Sequence, residues 1–231
     1  MMNKLESWGM KILERSPYMK EKINKSLTLT EIFIDQSYKW LCQDLIPGTT
    51  AIDIGANIGD STIYLAMQKE ITHIKAFEPF PNLYNQAVDN IAKAGYGDKV
   101  DLHNEGVDKE ESILDVPKSY RANIYSSTGG FKRLHYAEGR GIRMVKLDDI
   151  LNKINSKHII IKCDCEGAEH QIFNGKNNLK DVYRIQIEYH NGLGDLQKNL
   201  EAQEFKCTTK GIKADKALGQ CGWVYAWKDS E

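Results

Sequence analysis

Residues 162–169 read K-C-D-C-E-G-A-E, and His190 closes a second apolar run further along the chain. Asp164, Glu166 and Glu169 place three carboxylates close together. Histidine, with an unperturbed pKa of about 6.5 against about 3.9 for aspartate, is the side chain best matched to take a proton near neutrality. Such a group suits removal of a hydroxyl proton, with His190 ranked ahead of Asp164 and Glu166 as the base. Glu169 has a plainer use, because an acid there also favours the first turn of a following helix. The same side chains are able to hold a divalent cation, but no recognisable ligand spacing marks one, and no metal ligand is assigned.

A second stretch, A-I-D-I-G-A-N-I-G-D at 51–60, passes from strand-like to helix-like residues through a glycine turn. A dinucleotide loop uses G-x-G-x-x-G so that backbone approaches a pyrophosphate. Here Gly55 and Gly59 are followed by Asp60 where a glycine would stand, and Asp53 precedes them. A carboxylate at that strand end repels pyrophosphate and attracts an ammonium or sulfonium group, by up to about 4 kcal/mol at about 4 Å in an effective dielectric of about 20. Glu78, closing I-K-A-F-E-P, stands where an acid accepts hydrogen bonds from ribose hydroxyls in a doubly wound sheet. S-Adenosylmethionine combines a ribose, a sulfonium and an amino-acid head. The helix starting near Asp60 offers N–H groups to its carboxylate, while Asp53 faces its ammonium. Phe80 suits either stacking on adenine or a place in the core.

The elements that must carry these residues alternate. T-A-I-D-I, I-K-A-F, V-D-L-H-N, H-I-I-I-K-C-D and R-I-Q-I-E-Y-H read as strands. S-T-I-Y-L-A-M-Q and N-L-Y-N-Q-A-V-D-N-I-A-K-A-G read as helices. Alternation of this kind implies parallel strands with crossover helices, an α/β doubly wound sheet. In the second helix Leu83, Ala87, Val88, Ile91 and Ala94 share a face, Asn82 caps the start and Gly95 the end. Residues 1–48 read as a helical cover, with Ile34, Tyr38, Leu41, Cys42 and Leu45 at helical spacing. Residues 107–146 lack a helical period and read as inserted strands or loops, in which Tyr125, Ser126, Ser127 and Arg140 are able to meet a substrate. F-K-C-T-T and G-W-V-Y-A-W read as a final antiparallel pair.

The 31 basic and 32 acidic side chains leave a formal charge of −1, which offers no footprint for nucleic acid or an anionic membrane. No apolar run approaches a membrane span. The five cysteines form no C-x-x-C pair and fit a reducing, cytoplasmic setting. Cys163 and Cys165 flank Asp164 on a strand expected to be buried, where packing is their default role. No pattern sets an oligomeric state.

The stretches A-I-D-I-G-A-N-I-G-D-S-T-I-Y-L-A, A-F-E-P-F-P-N-L-Y-N-Q-A-V-D-N-I, V-K-L-D-D-I-L, I-I-I-K-C-D-C-E-G-A-E-H-Q-I-F and I-Q-I-E-Y-H together resemble the FkbM family of class I S-adenosylmethionine-dependent methyltransferases. The resemblance covers most of residues 49–190. It implies a seven-stranded, mostly parallel sheet with an antiparallel edge strand, and O-methylation of a small metabolite or sugar hydroxyl. By the same resemblance the cofactor positions fall on Asp53, Gly55, Asn57, Gly59 and Glu78, with Asn104 and Glu105 near the adenine and Asp164 near the methyl group. The second acidic cluster falls on Asp164, Glu166, Gly167, Glu169, Glu188 and His190. Two other readings stay open on the residues alone: a nicotinamide-dependent oxidoreductase on a similar sheet, and a binding module that keeps the pocket without turnover.

Overall fold

The computed structural model describes residues 32–33, 37–115, 121–126, 130–135, 141–211 and 220–229, with the side chains of 115, 121–126 and 130–135 outside that description. The expectations for residues 1–31, Ile34, Ser127 and Arg140, and for the side chains of Tyr125 and Ser126, lie outside the described residues.

Strand β1 (Thr49–Ile54) is buried along its whole length and turns through glycines into α1 (Asp60–Ala66). β2 (Ile71–Phe77), α2 (Pro81–Lys93) and β3 (Val100–His103) follow. The insert contributes β4 (Gly106–Asp108), β5 (Ser112–Asp115), a hairpin of β6 (Arg121–Ser126) and β7 (Gly130–His135), and β8 (Gly141–Lys146). The second half runs α3 (Leu147–Leu151), β9 (Ile159–Cys163), α4 (Glu169–Ile172), β10 (Val182–Tyr189), α5 (Leu196–Glu201), β11 (Lys206–Gly211) and β12 (Gly222–Trp227).

Seven strands form one sheet in the order β11-β12-β10-β9-β1-β2-β3, while β4, β8 and β5 make a small separate sheet. β3, β2, β1, β9 and β10 are parallel, and β12 runs against both β10 and β11. The antiparallel character falls at the expected end, with β12 one place in from the edge. The chain order reverses between β1 and β9, so the crevice for a ligand opens at the carboxyl ends of those two strands.

Side-chain alternation along the strands divides the core in two. Ala51 and Ile160 face a cluster with Ile63, Tyr64, Ala87 and Ile91, whereas Ile52, Ile54, Ile159 and Ile161 face one with Ile150, Ile172, Leu196 and Leu200. Both faces of the sheet are therefore covered by helices, which is why β1 and β9 carry near-continuous apolar runs. In α2, Leu83, Ala87 and Ile91 are buried as the spacing requires, but Val88 is 42% exposed on the flank. Pro81 opens that helix with Phe80 at its cap, so Asn82 lies inside the first turn and caps nothing.

Residues 37–44 make successive turns, with Tyr38, Leu41, Cys42 and Leu45 buried. This segment is pinned to the sheet. Arg184 donates to the carbonyls of Trp40, Leu41 and Gln43, and Gln186 Nε2 donates to Ser37 O at 2.8 Å. Tyr38 packs edge-on against Trp223 of β12 with ring centroids 5.9 Å apart.

Candidate active site

The β1 loop is held by a buried ion pair. Asp53 Oδ2 accepts from Ser61 Oγ at 2.8 Å and Thr62 Oγ1 at 2.7 Å, and Lys162 Nζ stands 3.0 Å from Oδ1. Lys162 also donates to Gly55 O at 2.6 Å. Burial works against its charge, but Asp53 and Asp164 overcome that and raise its pKa. The negative charge of Asp53 is therefore paired with Lys162 and shut off from solvent, so this side chain does not face the cofactor ammonium expected beside it. Gly55 has φ +81°, and a Cβ there would lie 1.8 Å from the carbonyl oxygen of Asp164. Only glycine lets the two loops of the switch point pass so closely.

The next strand supplies Glu78, which is 3% exposed. Its Oε2 accepts from the backbone N–H of Asn57 at 2.8 Å and its Oε1 from that of Phe80 at 2.9 Å. Asn57 thus enters through its main chain, at φ +51°. Burial raises Glu78 to about 7 against the pull of those two N–H groups and Lys162. Phe80 is half-buried, outside either core cluster. Asn104 Nδ2 donates to the carbonyls of Glu78 and Pro79 at 2.9 and 3.0 Å, so its side chain ties down the turn that carries Glu78. Glu105 accepts from Arg143 Nη1 at 2.8 Å.

Asp60, which motif reading marks as a missing glycine and a helix start, is given no ligand role of its own side chain there. It is 5% exposed, its Oδ2 has no partner, and burial raises it to about 7. The signal was a charged residue opening a helix that is otherwise fully buried.

At the carboxyl ends of β9 and β10 the second group assembles. His190 Nδ1 lies 3.0 Å from Glu169 Oε1, and its Nε2 lies 3.7 Å from Glu166 Oε2. Glu169 is fully buried and its Oε1 also accepts the N–H groups of Cys165 and Gly167 at 3.1 Å each. It does more than brace a helix turn, since it clamps both the loop and His190. Burial disfavours the imidazolium, but Glu169, Asp164 and Glu166 outweigh it and bring His190 up to about 9. Burial raises Asp164 and Glu166, while the bond to His190 keeps Glu169 low against its own burial. Cys163 and Cys165 have their Sγ atoms 3.5 Å apart; burial raises Cys163 against that contact, while the contact and burial together raise Cys165. A separate cavity of about 420 Å³, lined by Thr50, Thr72, His73 and Lys153 among others, opens at the amino ends of β1 and β2, away from all of these groups.

A nucleoside carrying an amino-acid head finds its complements in this arrangement. Asp60 has an orphaned buried oxygen for the ammonium, and both Glu78 oxygens keep a free lone pair for ribose hydroxyls. Sheet order defines a Rossmann-like, doubly wound fold with its acidic residues gathered at the ligand edge. Residues 53–210 match the model of the methyltransferase FkbM domain, and the chain belongs to that family. The matched family is one of methyltransferases, and the nicotinamide reading is set aside. Among solved structures, M. capricolum TrmK with S-adenosylhomocysteine aligns at a TM-score of 0.51 and 14% identity, over 83% of this chain and 67% of that one. The METTL16 methyltransferase domain aligns at 0.50 and 15%, over 88% and 69%. The AMB antimetabolite synthetase AmbE of Pseudomonas aeruginosa is 24% identical over 197 residues, which cover 69% of this chain and 9% of that far longer protein.

Proposed function

We propose that this methyltransferase acts on a hydroxyl of a small metabolite or sugar, with Asp164 as the proton acceptor. The observation that carries the reading is the charge distribution at the end of β9. His190, at about 9, holds its proton at neutral pH and is no base there. Asp164 accepts no side-chain hydrogen bond among the described residues, and burial lifts its carboxyl toward the working pH. His190 and Glu166 then border the acceptor, the imidazolium stabilising negative charge on the hydroxyl oxygen as the proton leaves.

Bound S-adenosylmethionine supplies the methyl group on an electrophilic sulfonium. Asp60 and Glu78 hold its two ends, which aligns donor and acceptor; alignment of this sort is worth about 7–11 kcal/mol, against about 10²–10⁴-fold for the base. Near-neutral net charge supports a small acceptor over a polyanionic one. So does the AmbE relative, which is by name a synthetase of an antimetabolite. Residues 1–48 and the 107–146 insert are the parts assigned to acceptor choice, and the five free thiols fit a reducing compartment.

Methyl transfer to a panel of hydroxylated metabolites and sugars, at saturating cofactor, tests the assignment. Asp164→Asn is expected to lower kcat by about 10²–10⁴-fold. An unchanged kcat in both Asp164→Asn and Glu166→Gln removes the carboxylate base.

A further inference from the structure

Asp164 follows β9, Glu169 opens α4 and His190 follows β10, yet one ligand atom of each lies within 4.8 Å of the others. The two loops that carry them meet at the topological switch point, on the ligand edge of the sheet. An octahedral cation with bonds of about 2.1 Å separates its ligands by about 3 Å when adjacent and about 4.2 Å when opposite. The three side chains are thus close enough for small rotamer adjustments to bring them to one cation.

A second observation is independent of that spacing. Glu169 is fully buried, and while its Oε1 takes three hydrogen bonds, its Oε2 takes none. A carboxylate oxygen withdrawn from water without a partner is rare in a folded protein and calls for an ion or a ligand. Histidine alone does not answer it, because the imidazole already spends its Nδ1 on Oε1. Asp164 likewise has no side-chain hydrogen bond among the described residues, and Glu166 Oε2 stands 3.7 Å from the other imidazole nitrogen.

The geometry points to a divalent-cation site formed by Asp164, Glu169 and His190, with Glu166 at its rim, the cation displacing on binding the proton that His190 holds in its absence. Carboxylate oxygens dominate the donor set, which suits Mg²⁺ or Mn²⁺ over the thiolate-seeking metals. The role of the cation rests on the hydroxyl-methylation reading. It would hold the acceptor oxygen on its open side and lower the pKa of that hydroxyl, whose one proton would pass to the Asp164 oxygen not given to the cation. The site itself does not depend on that reading.

Mn²⁺ titration of the full chain, with unbound Mn²⁺ read from its six-line paramagnetic resonance signal, tests it directly. Calorimetry with S-adenosylhomocysteine on the same samples reports whether the pocket is intact. About one Mn²⁺ per chain is expected, with affinity reduced at least about tenfold in Asp164→Asn and in His190→Ala. His190→Gln replaces the alanine variant if that one loses its thermal transition. Wild-type protein that binds S-adenosylhomocysteine but no Mn²⁺, or Mn²⁺ binding unchanged in both variants, overturns the site. Bound Mn²⁺ that responds to the variants, in a protein that methylates no hydroxyl, supports the site and strikes only the acceptor reading.

Discussion

Lys162 Nζ lies 3.0 Å from Asp53 Oδ1 in a pair almost wholly shut off from solvent, with side chains 2% and 0% exposed. The pair joins β1 to β9 across the switch point, and through Gly55 O it fixes the loop between the two halves of the site. Removing one member strands the other charge in the interior, at a cost of about 3–5 kcal/mol. Lys162→Met and Asp53→Asn should each lower the urea midpoint accordingly, and the double variant should recover part of the loss. A loss under about 1 kcal/mol in both single variants would show that the pair is not the clamp.

Cofactor affinity should follow pH through two carboxyl groups. Burial raises Glu78 and Asp60, each to about 7, above free values of about 4.3 and 3.9. Protons on these groups stabilise the folded apoprotein fully below about pH 4, and that stabilisation is lost as pH rises through about 7. Binding wants the ionised forms, so affinity for S-adenosylhomocysteine should rise between about pH 5 and 7 with a slope approaching two protons. Glu78→Gln and Asp60→Asn should each reduce the slope by about one, as read by calorimetry across that range. A flat wild-type profile would contradict both assignments.

Gly55→Ala should be far more damaging than its size suggests. The added carbon meets the Asp164 carbonyl at 1.8 Å, where neither backbone is free to move without breaking the β1–β9 ladder. A loss of roughly 3 kcal/mol or more is expected, read from thermal or urea unfolding. Stability within about 1 kcal/mol of wild type would mean that the two loops do not approach as described.

Asn104→Ala removes two hydrogen bonds that tether the Glu78–Pro79 turn. Since each is worth about 1 kcal/mol, cofactor affinity should weaken by up to about 30-fold while the fold persists. Unchanged affinity for S-adenosylhomocysteine would place the anchoring of Glu78 elsewhere, in its bonds to Asn57 and Phe80.

Much of the sheet was legible because strands buried on both faces leave near-continuous apolar runs, as β1 and β9 do, and because α2 repeats Leu83, Ala87 and Ile91 at helical spacing. Val88 and Asn82 were misplaced because periodicity leaves the edge of a helical stripe open, and Pro81 starts the helix without needing a polar cap. The site was harder. Motif spacing marked Asp53 and Glu78 as acids at strand ends, but Lys162, which neutralises Asp53, sits in a strand paired with β1 and separated from it by more than a hundred residues. Nor does sequence reveal that Glu169 reaches His190, because that contact exists only once β9 and β10 lie side by side. His190 is matched to a base by its intrinsic pKa, and only the folded chain gathers around it the carboxylates that raise that pKa.

The most direct test of a small hydroxylated acceptor is transfer of a tritiated methyl group from S-adenosylmethionine into an extract of the producing cells, separated afterwards into small-molecule, protein and RNA fractions. Hydroxyl methylation predicts enzyme-dependent label in the small-molecule fraction, held as an ether that survives mild base and lost with Asp164→Asn. Label concentrated in RNA or protein would contradict it.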